Sequence, residues 1–260
     1  MAMRHFFLKK NTIKEGTAVI TGSEARHVGR VLRRGVGDTL ALLDEDGYEY
    51  QAVITAKTSQ RVEVRLLAKN PPRKPTSVRI TLGQAVPKAH KMDYIVQKAT
   101  ELGVSSVIPF YSSRTGPRLP EERLQKKCHR WQKIALEATK QCGRGDVPTV
   151  ETIVTFEEII NKRYNNVLKI ILWEDEKNRR LKEVLQNSKQ YQNIILLIGP
   201  EGGFTAEEIE EAGKRGFLSA SLGRCIFRTE TVGLYLLSVL HYELEMSPVT
   251  SSSEEPEGKI

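Results

Sequence analysis

Three stretches of this chain gather residue types that could bind or transform a ligand. In Ile194-Ile195-Leu196-Leu197-Ile198-Gly199-Pro200-Glu201-Gly202-Gly203-Phe204-Thr205 an apolar run feeds a glycine-rich turn, and Thr205 and Glu208 have the spacing of a capping box that opens a helix. Glycines in such a turn let backbone N–H and C=O groups approach a ligand closely, and in open α/β sheets ligands bind beyond the carboxyl ends of strands. The turn matches neither the dinucleotide fingerprint nor the phosphate loop with its lysine, so a phosphate cradle is disfavoured. An ordinary turn remains the alternative. The second stretch, Leu222-Gly223-Arg224-Cys225-Ile226-Phe227-Arg228-Thr229-Glu230-Thr231, also follows a short strand and should reach the same end of the sheet. Its polar residues precede an apolar helix, where Thr229 and Thr231 suit capping as well as chemistry. In the third, residues 91–103, Lys98 and Glu101 stand three apart on a helix, a spacing that a surface ion pair also explains. Arg144, after Gln141-Cys142-Gly143, lies where a cation favours a helix C-terminus with or without further purpose.

Other chemistries find less support. The histidines (His5, His27, His90, His129, His241) are scattered without ligand spacing, and no Ser/His/Asp or Cys/His arrangement stands out. The three cysteines, Cys128, Cys142 and Cys225, form no C-x-x-C pair, which argues against zinc and a disulfide framework and fits a reducing cytoplasm. No apolar run has the length of a membrane span, and the opening residues lack the apolar core of a secretory leader. A cytoplasmic protein without metal or membrane is expected.

Charge is distributed unevenly. Residues 1–74 hold 14 lysines and arginines against 8 acidic residues and residues 75–150 hold 13 against 6, whereas residues 151–260 hold 13 against 18. The excess positive charge sits in the first 150 residues, which suits a polyanion such as RNA because cations that neutralise phosphates release condensed counterions; a merely solvated basic surface is the alternative, and an anionic membrane surface a weaker one without a basic amphipathic anchor helix.

The elements that must position these groups follow from pattern. Short strands are predicted at 17–21, 39–44, 48–56 and 61–67, with Asp46-Gly47 as a hairpin turn and one helix over 23–33, capped by Ser23. Together they suggest a small β-barrel. On that helix Arg26, Arg30 and Arg33, spaced four and three apart, share a face with Arg34 beside it, making it the candidate RNA contact. The proline-rich 69–75 segment marks a linker, which divides the chain into domains at 1–72 and 73–246. Beyond it strands at 78–86, 104–109, 167–173, 193–198 and 219–222 alternate with helices at 91–102, 121–141, 206–215 and 231–245, the pattern of a mostly parallel α/β sheet. The Ser/Glu/Pro-rich tail, 247–260, is expected to be disordered.

Taken together, residues 87–103, Arg130-Trp131-Gln132-Lys133-Ile134-Ala135, Gln141-Cys142-Gly143-Arg144, the 198–205 turn, the 222–231 segment and His27-Val28-Gly29-Arg30-Val31-Leu32-Arg33 resemble the RsmE family of ribosomal small-subunit RNA uridine-N3 methyltransferases, of the SPOUT class. The resemblance implies a PUA-like N-terminal domain, a catalytic domain with a trefoil knot, S-adenosylmethionine as cofactor and a homodimer acting on 16S ribosomal RNA or the small ribosomal subunit. It carries cofactor contacts onto Leu172, Ile198, Gly199, Glu201, Gly202, Gly203, Leu222, Gly223 and Ile226. Arg228 and Glu230 would stand between cofactor and RNA, with Arg228 stabilising the uracil anion and Glu230 or Glu101 taking the proton. Arg26, Arg30, Arg33, Arg34, Lys98 and Arg144 would hold the substrate. A non-catalytic ribosome-assembly factor, or a SPOUT enzyme acting on another RNA position, is the alternative.

Overall fold

The computed structural model describes residues 5–8, 10–44, 46–71, 78–186 and 191–245. The expected border at 72/73 and the tail beyond 247 lie outside the described residues, as does the side chain of Ser23. Two sheets, each with its own core, hold the chain together. The first contains β1 (His5–Leu8), β2 (Ile13–Lys14), β3 (Thr17–Thr21), β4 (Thr39–Asp44), β5 (Glu49–Lys57) and β6 (Arg61–Asn70), in the order β1-β4-β5-β6-β3-β2. Alternating residues of these strands, among them Phe6, Leu8, Ile20, Leu42, Ile54, Val62 and Val64, face one core. The ladder curls as a half-barrel and does not close among the described residues. At the β4–β5 hairpin Gly47 adopts φ +81°, and the Asp44 carboxylate accepts the Asp46 and Tyr48 N–H groups at 2.9 Å each.

The helix expected over 23–33 is replaced by a shorter, two-part element. Helix α1 (Gly22–Arg26) passes directly into a π-helical turn over His27–Val31, where the Leu32 N–H reaches the His27 carbonyl at 3.1 Å. Arg33 lies beyond it with φ +52°. Bonds spanning five residues do not stack side chains at spacings of three and four, so the shared helical face does not form. Arg26, Arg30, Arg33 and Arg34 are nevertheless all exposed.

The second sheet contains β7 (Arg79–Ala85), β8 (Ser106–Tyr111), β9 (Thr149–Val150), β10 (Val154–Thr155), β11 (Val167–Leu172), β12 (Asn193–Ile198) and β13 (Leu218–Ala220). Every pairing is parallel, in the order β10-β8-β7-β12-β11-β13, with β9 on β8. One face is covered by α2 (Lys91–Glu101), α3 (Glu121–Cys142), α5 (Leu181–Gln186) and α7 (Thr229–Glu245); the other by α4 (Phe156–Asn161) and α6 (Ala206–Lys214). This double covering explains the continuous apolar strands: Ile194, Leu196 and Ile198 of β12 face the first layer, Ile195 and Leu197 the second.

The two units meet at the end of α3. The side chain of Lys140, only 4% exposed, pairs with Glu24 of α1 and with Glu137 at 2.8 Å. Gly143 ends α3 with φ +73° beside the ring of His5, and Gly145 abuts Gly47 of the β4–β5 hairpin. Among the described residues no helix is long and apolar enough to cross a membrane.

Candidate active site

The carboxyl ends of β11, β12 and β13 open onto a cleft of about 380 Å³, within the size range of small-ligand sites. Leu172 and Ile198 form its floor because both end strands on the face that carries α7. Gly199, Glu201 and Gly203 contribute the β12 turn, and Leu222, Gly223, Ile226 and Arg228 the segment after β13. The two glycine-bearing loops therefore do share one end of the sheet.

The local sequence fixes both loops. The Pro200–Gly203 turn is closed by the Gly203 N–H on the Pro200 carbonyl at 3.0 Å, and Gly203 takes φ +68°. A side chain there would run into the Glu174 carboxylate, whereas the Cβ position of Gly202 points at Arg114. Gly202 accordingly does not line the cleft; its carbonyl accepts the Arg114 guanidinium at 2.7 Å. Thr205 and Glu208 form the expected capping box on α6. Buried Thr229 donates to the Gly199 carbonyl at 2.7 Å and accepts from Gln84 at 2.9 Å, which fastens the start of α7 to the turn and to β7.

Sequence reasoning missed Lys91 as a site residue. It opens α2, lines the cleft, and places its ammonium 3.0 Å from Glu201 and 3.1 Å from Glu230. Glu201 also accepts the Lys88 N–H at 3.1 Å. Burial alone would raise the Glu230 carboxyl, but its own backbone N–H, Lys91 and Arg228 outweigh that and hold it below the usual carboxylate range. The Lys91 ammonium is correspondingly pushed up by Glu201 and Glu230. Lys91 had no local signal, because its two partners stand more than a hundred residues away. The Arg228 guanidinium is exposed and has no ion-pair partner among the described residues.

The other expected residues stand apart from this cleft. Lys98 holds Glu101 at 2.8 Å on α2, and helical rise puts them roughly 10–15 Å along the axis from Lys91. Arg144 donates to the Thr100 and Val104 carbonyls at 2.9 Å each and pairs with Asp146 at 2.7 Å. Its donors are taken up in tying the end of α3 to the end of α2. The four N-terminal arginines lie on the other unit. Among the described residues no group of three or more His, Cys, Asp or Glu is placed to hold a metal ion.

Comparison with known proteins fits this arrangement. The profile of the RNA methyltransferase domain family matches residues 74–241, and that of the RNA methyltransferase PUA domain residues 20–67. The chain is 28% identical over 251 residues to the ribosomal RNA small subunit methyltransferase E of Bacillus subtilis, covering 94% of this chain and 98% of that one. It is 30% identical to the Buchnera aphidicola (Acyrthosiphon pisum) protein of the same name, covering 84% and 85%. Among solved structures, the Neisseria gonorrhoeae ribosomal RNA small subunit methyltransferase E bound to S-adenosyl methionine superposes with a TM-score of 0.83 at 29% identity, covering 93% of this chain and 98% of that one. A Legionella pneumophila putative methyltransferase in complex with the same cofactor gives 0.84 at 30%, with the same coverage. Two family profiles in order, full-length relatives and a shared fold lead to one statement: this chain belongs to the ribosomal RNA small subunit methyltransferase E family, combining a PUA-like half-barrel with a parallel α/β methyltransferase domain.

Proposed function

We propose that this protein transfers a methyl group from S-adenosylmethionine to N3 of a uridine in 16S ribosomal RNA, the single most telling observation being the cleft that sets an exposed guanidinium beside a glycine-turn wall. The residues present suit the cofactor. Leu172, Ile198, Leu222 and Ile226 give apolar walls, Glu174 and Glu201 bring negative charge toward a cationic ligand, and Gly203 leaves no room for a side chain of its own. When bound, the cofactor supplies an electrophilic methyl carbon.

The chain's own residues must then prepare the nucleophile. Uracil N3 carries a proton lost only well above neutral pH, so the base needs both a proton acceptor and stabilisation as an anion. Arg228 supplies the cation that offsets negative charge developing on the base. Glu230, held as a carboxylate by Lys91 beside the cleft lining, accepts the N3 proton; Glu101 could serve only from a second subunit. A homodimer belongs to this reading, and α7 offers it exposed aromatic surface at Tyr235 and Tyr242. Arg26, Arg30, Arg33 and Arg34 hold the RNA, while Arg144 positions α2 against α3. The trefoil knot, the division at 72/73 and a cytoplasmic location complete the proposal.

Lys91→Met should move the acid limb of the rate profile to higher pH. Without the ammonium the Glu230 carboxyl rises toward its ordinary value, so more alkali is needed to ionise it. A limb unmoved in single-turnover rates measured from pH 4 to 8 would remove Glu230 as the acceptor. The overall assignment is tested by mass spectrometry of 16S rRNA from a strain lacking the gene. N3-methyluridine should vanish and return with the plasmid-borne chain. Loss of a mark on ribose or on another base would point to a different target. Calorimetry showing no heat with S-adenosylmethionine would point to an assembly factor instead.

A further inference from the structure

We infer that the groove between α2 and α3 is a binding track for single-stranded RNA, joining the basic α1 region to the mouth of the cleft. The inference rests on the proposed RNA substrate. The groove encloses about 910 Å³ and is lined on α3 by Lys126, His129, Arg130, Lys133, Glu137 and Gln141. These residues repeat at helical spacings of three and four, and all are exposed. Across from them α2 presents His90, Tyr94 and Gln97, with the Tyr94 ring 48% exposed.

Its ends are what give the groove direction. Asp93 of α2 pairs with Arg130 at 2.5 Å and accepts the Trp131 indole N–H at 3.1 Å, while Arg144 beyond α3 holds the carbonyls at the end of α2. The two helices therefore run side by side in the same sense. At one end His90 adjoins Lys91, which lines the cleft. At the other, Glu137 pairs with Lys140, and Lys140 grips Glu24 of α1, two residues from Arg26. A strand leaving the exposed arginines of the N-terminal unit meets this groove on its way to the cleft.

Its chemistry suits RNA in particular. The two acids in the lining are already engaged, Asp93 by Arg130 and Glu137 by Lys140, whereas no ion pair among the described residues engages Lys126 or Lys133. Free cations beside an exposed aromatic ring provide phosphate contacts and a stacking platform for a base. The length from Lys126 to Gln141, roughly 22 Å of helix, accommodates several nucleotides.

The test measures binding of a fluorescent oligouridylate of about 12 nucleotides to the full chain across a salt series. Lys126→Ala/Lys133→Ala should weaken binding about tenfold and reduce the salt slope by about 1.4, two phosphate contacts' worth for a single strand. Tyr94→Ala should weaken it about fivefold or more with the slope unchanged, and Tyr94→Phe should restore it. Unchanged melting and S-adenosylmethionine titration will show that each variant is folded. If these variants bind as wild type while Arg26→Ala/Arg30→Ala loses affinity, RNA takes another route and the track is overturned, though the enzyme assignment stands. The track also falls if wild type ignores the oligonucleotide, or if the α3 variants change the sedimentation mass instead, which would make the groove a seat for a second copy. Absence of methyl transfer to ribosomal RNA by wild type would sink the underlying reading itself.

Discussion

Arg228→Ala should lower the rate of methyl transfer by about two to three orders of magnitude while leaving S-adenosylmethionine affinity within a few-fold. The magnitude follows from the role: removing one group that stabilises developing negative charge typically costs about 3–4 kcal/mol in the transition state. The selectivity follows from position. Arg228 is exposed at the C-terminal end of the loop after β13, whereas Leu222, Gly223 and Ile226 earlier in that loop line the cleft. Truncation beyond Cβ leaves the carbonyl of Arg228, which accepts the Thr231 and Val232 N–H groups at 2.8 and 3.1 Å, in place at the start of α7. Single-turnover rates with ribosomal RNA and calorimetry with the cofactor separate the two quantities. Turnover within a few-fold of wild type would take the anion-stabilising role away from Arg228. A parallel collapse of cofactor affinity would recast it as a cofactor ligand. Arg228→Lys keeps the charge but not the planar fork, so partial activity would show that charge matters more than geometry.

Much of the catalytic unit was legible because its signals are local. The continuous apolar runs of β11 and β12 announce buried parallel strands, and Thr205 with Glu208 announces the start of α6. What escaped is non-local or short. Helix α4 has the same capping box, Thr155 with Glu158, but six residues show too little periodicity to be distinguished from a loop. Strand β1 exists through its parallel pairing with β4, more than thirty residues on, which no spacing within His5–Leu8 reveals. The π turn defeated the arginine-face argument because helical spacing presupposes α geometry. In the site, the cleft wall could be read from glycines at strand ends, while the Lys91 bridge and the Thr229 latch depend on contacts that only the folded sheet creates. Arg144 illustrates the converse: a charge that looks available in sequence is consumed by two backbone carbonyls.

Gly203→Ala should weaken S-adenosylmethionine binding about tenfold, whereas Gly202→Ala one position earlier should stay within about threefold. The two glycines look interchangeable in sequence and differ in what surrounds them. Gly203 sits at φ +68°, where a Cβ costs roughly 1–2 kcal/mol, and that Cβ also collides with the Glu174 carboxylate at the end of β11. That carboxylate ends an exposed, flexible side chain and can swing aside, so the lasting cost is backbone strain in a turn that lines the cleft. Each 1.4 kcal/mol lost to strain is a factor of ten in affinity. Gly202 has no positive φ, and its added carbon would meet the aliphatic part of Arg114 at an ordinary 3.4 Å, outside the cleft lining. Gly223 supplies a second strained case, because its φ of +109° strains any substitution although its Cβ would enter open space. Affinity should therefore fall more for Gly203→Ala and Gly223→Ala than for Gly202→Ala. If Gly203→Ala lowers the melting temperature yet binds cofactor as wild type, the turn supports the fold without serving as the cofactor wall. That contrast in affinity is the outcome that an ordinary turn does not produce, since a turn with no ligand against it links strain to stability alone.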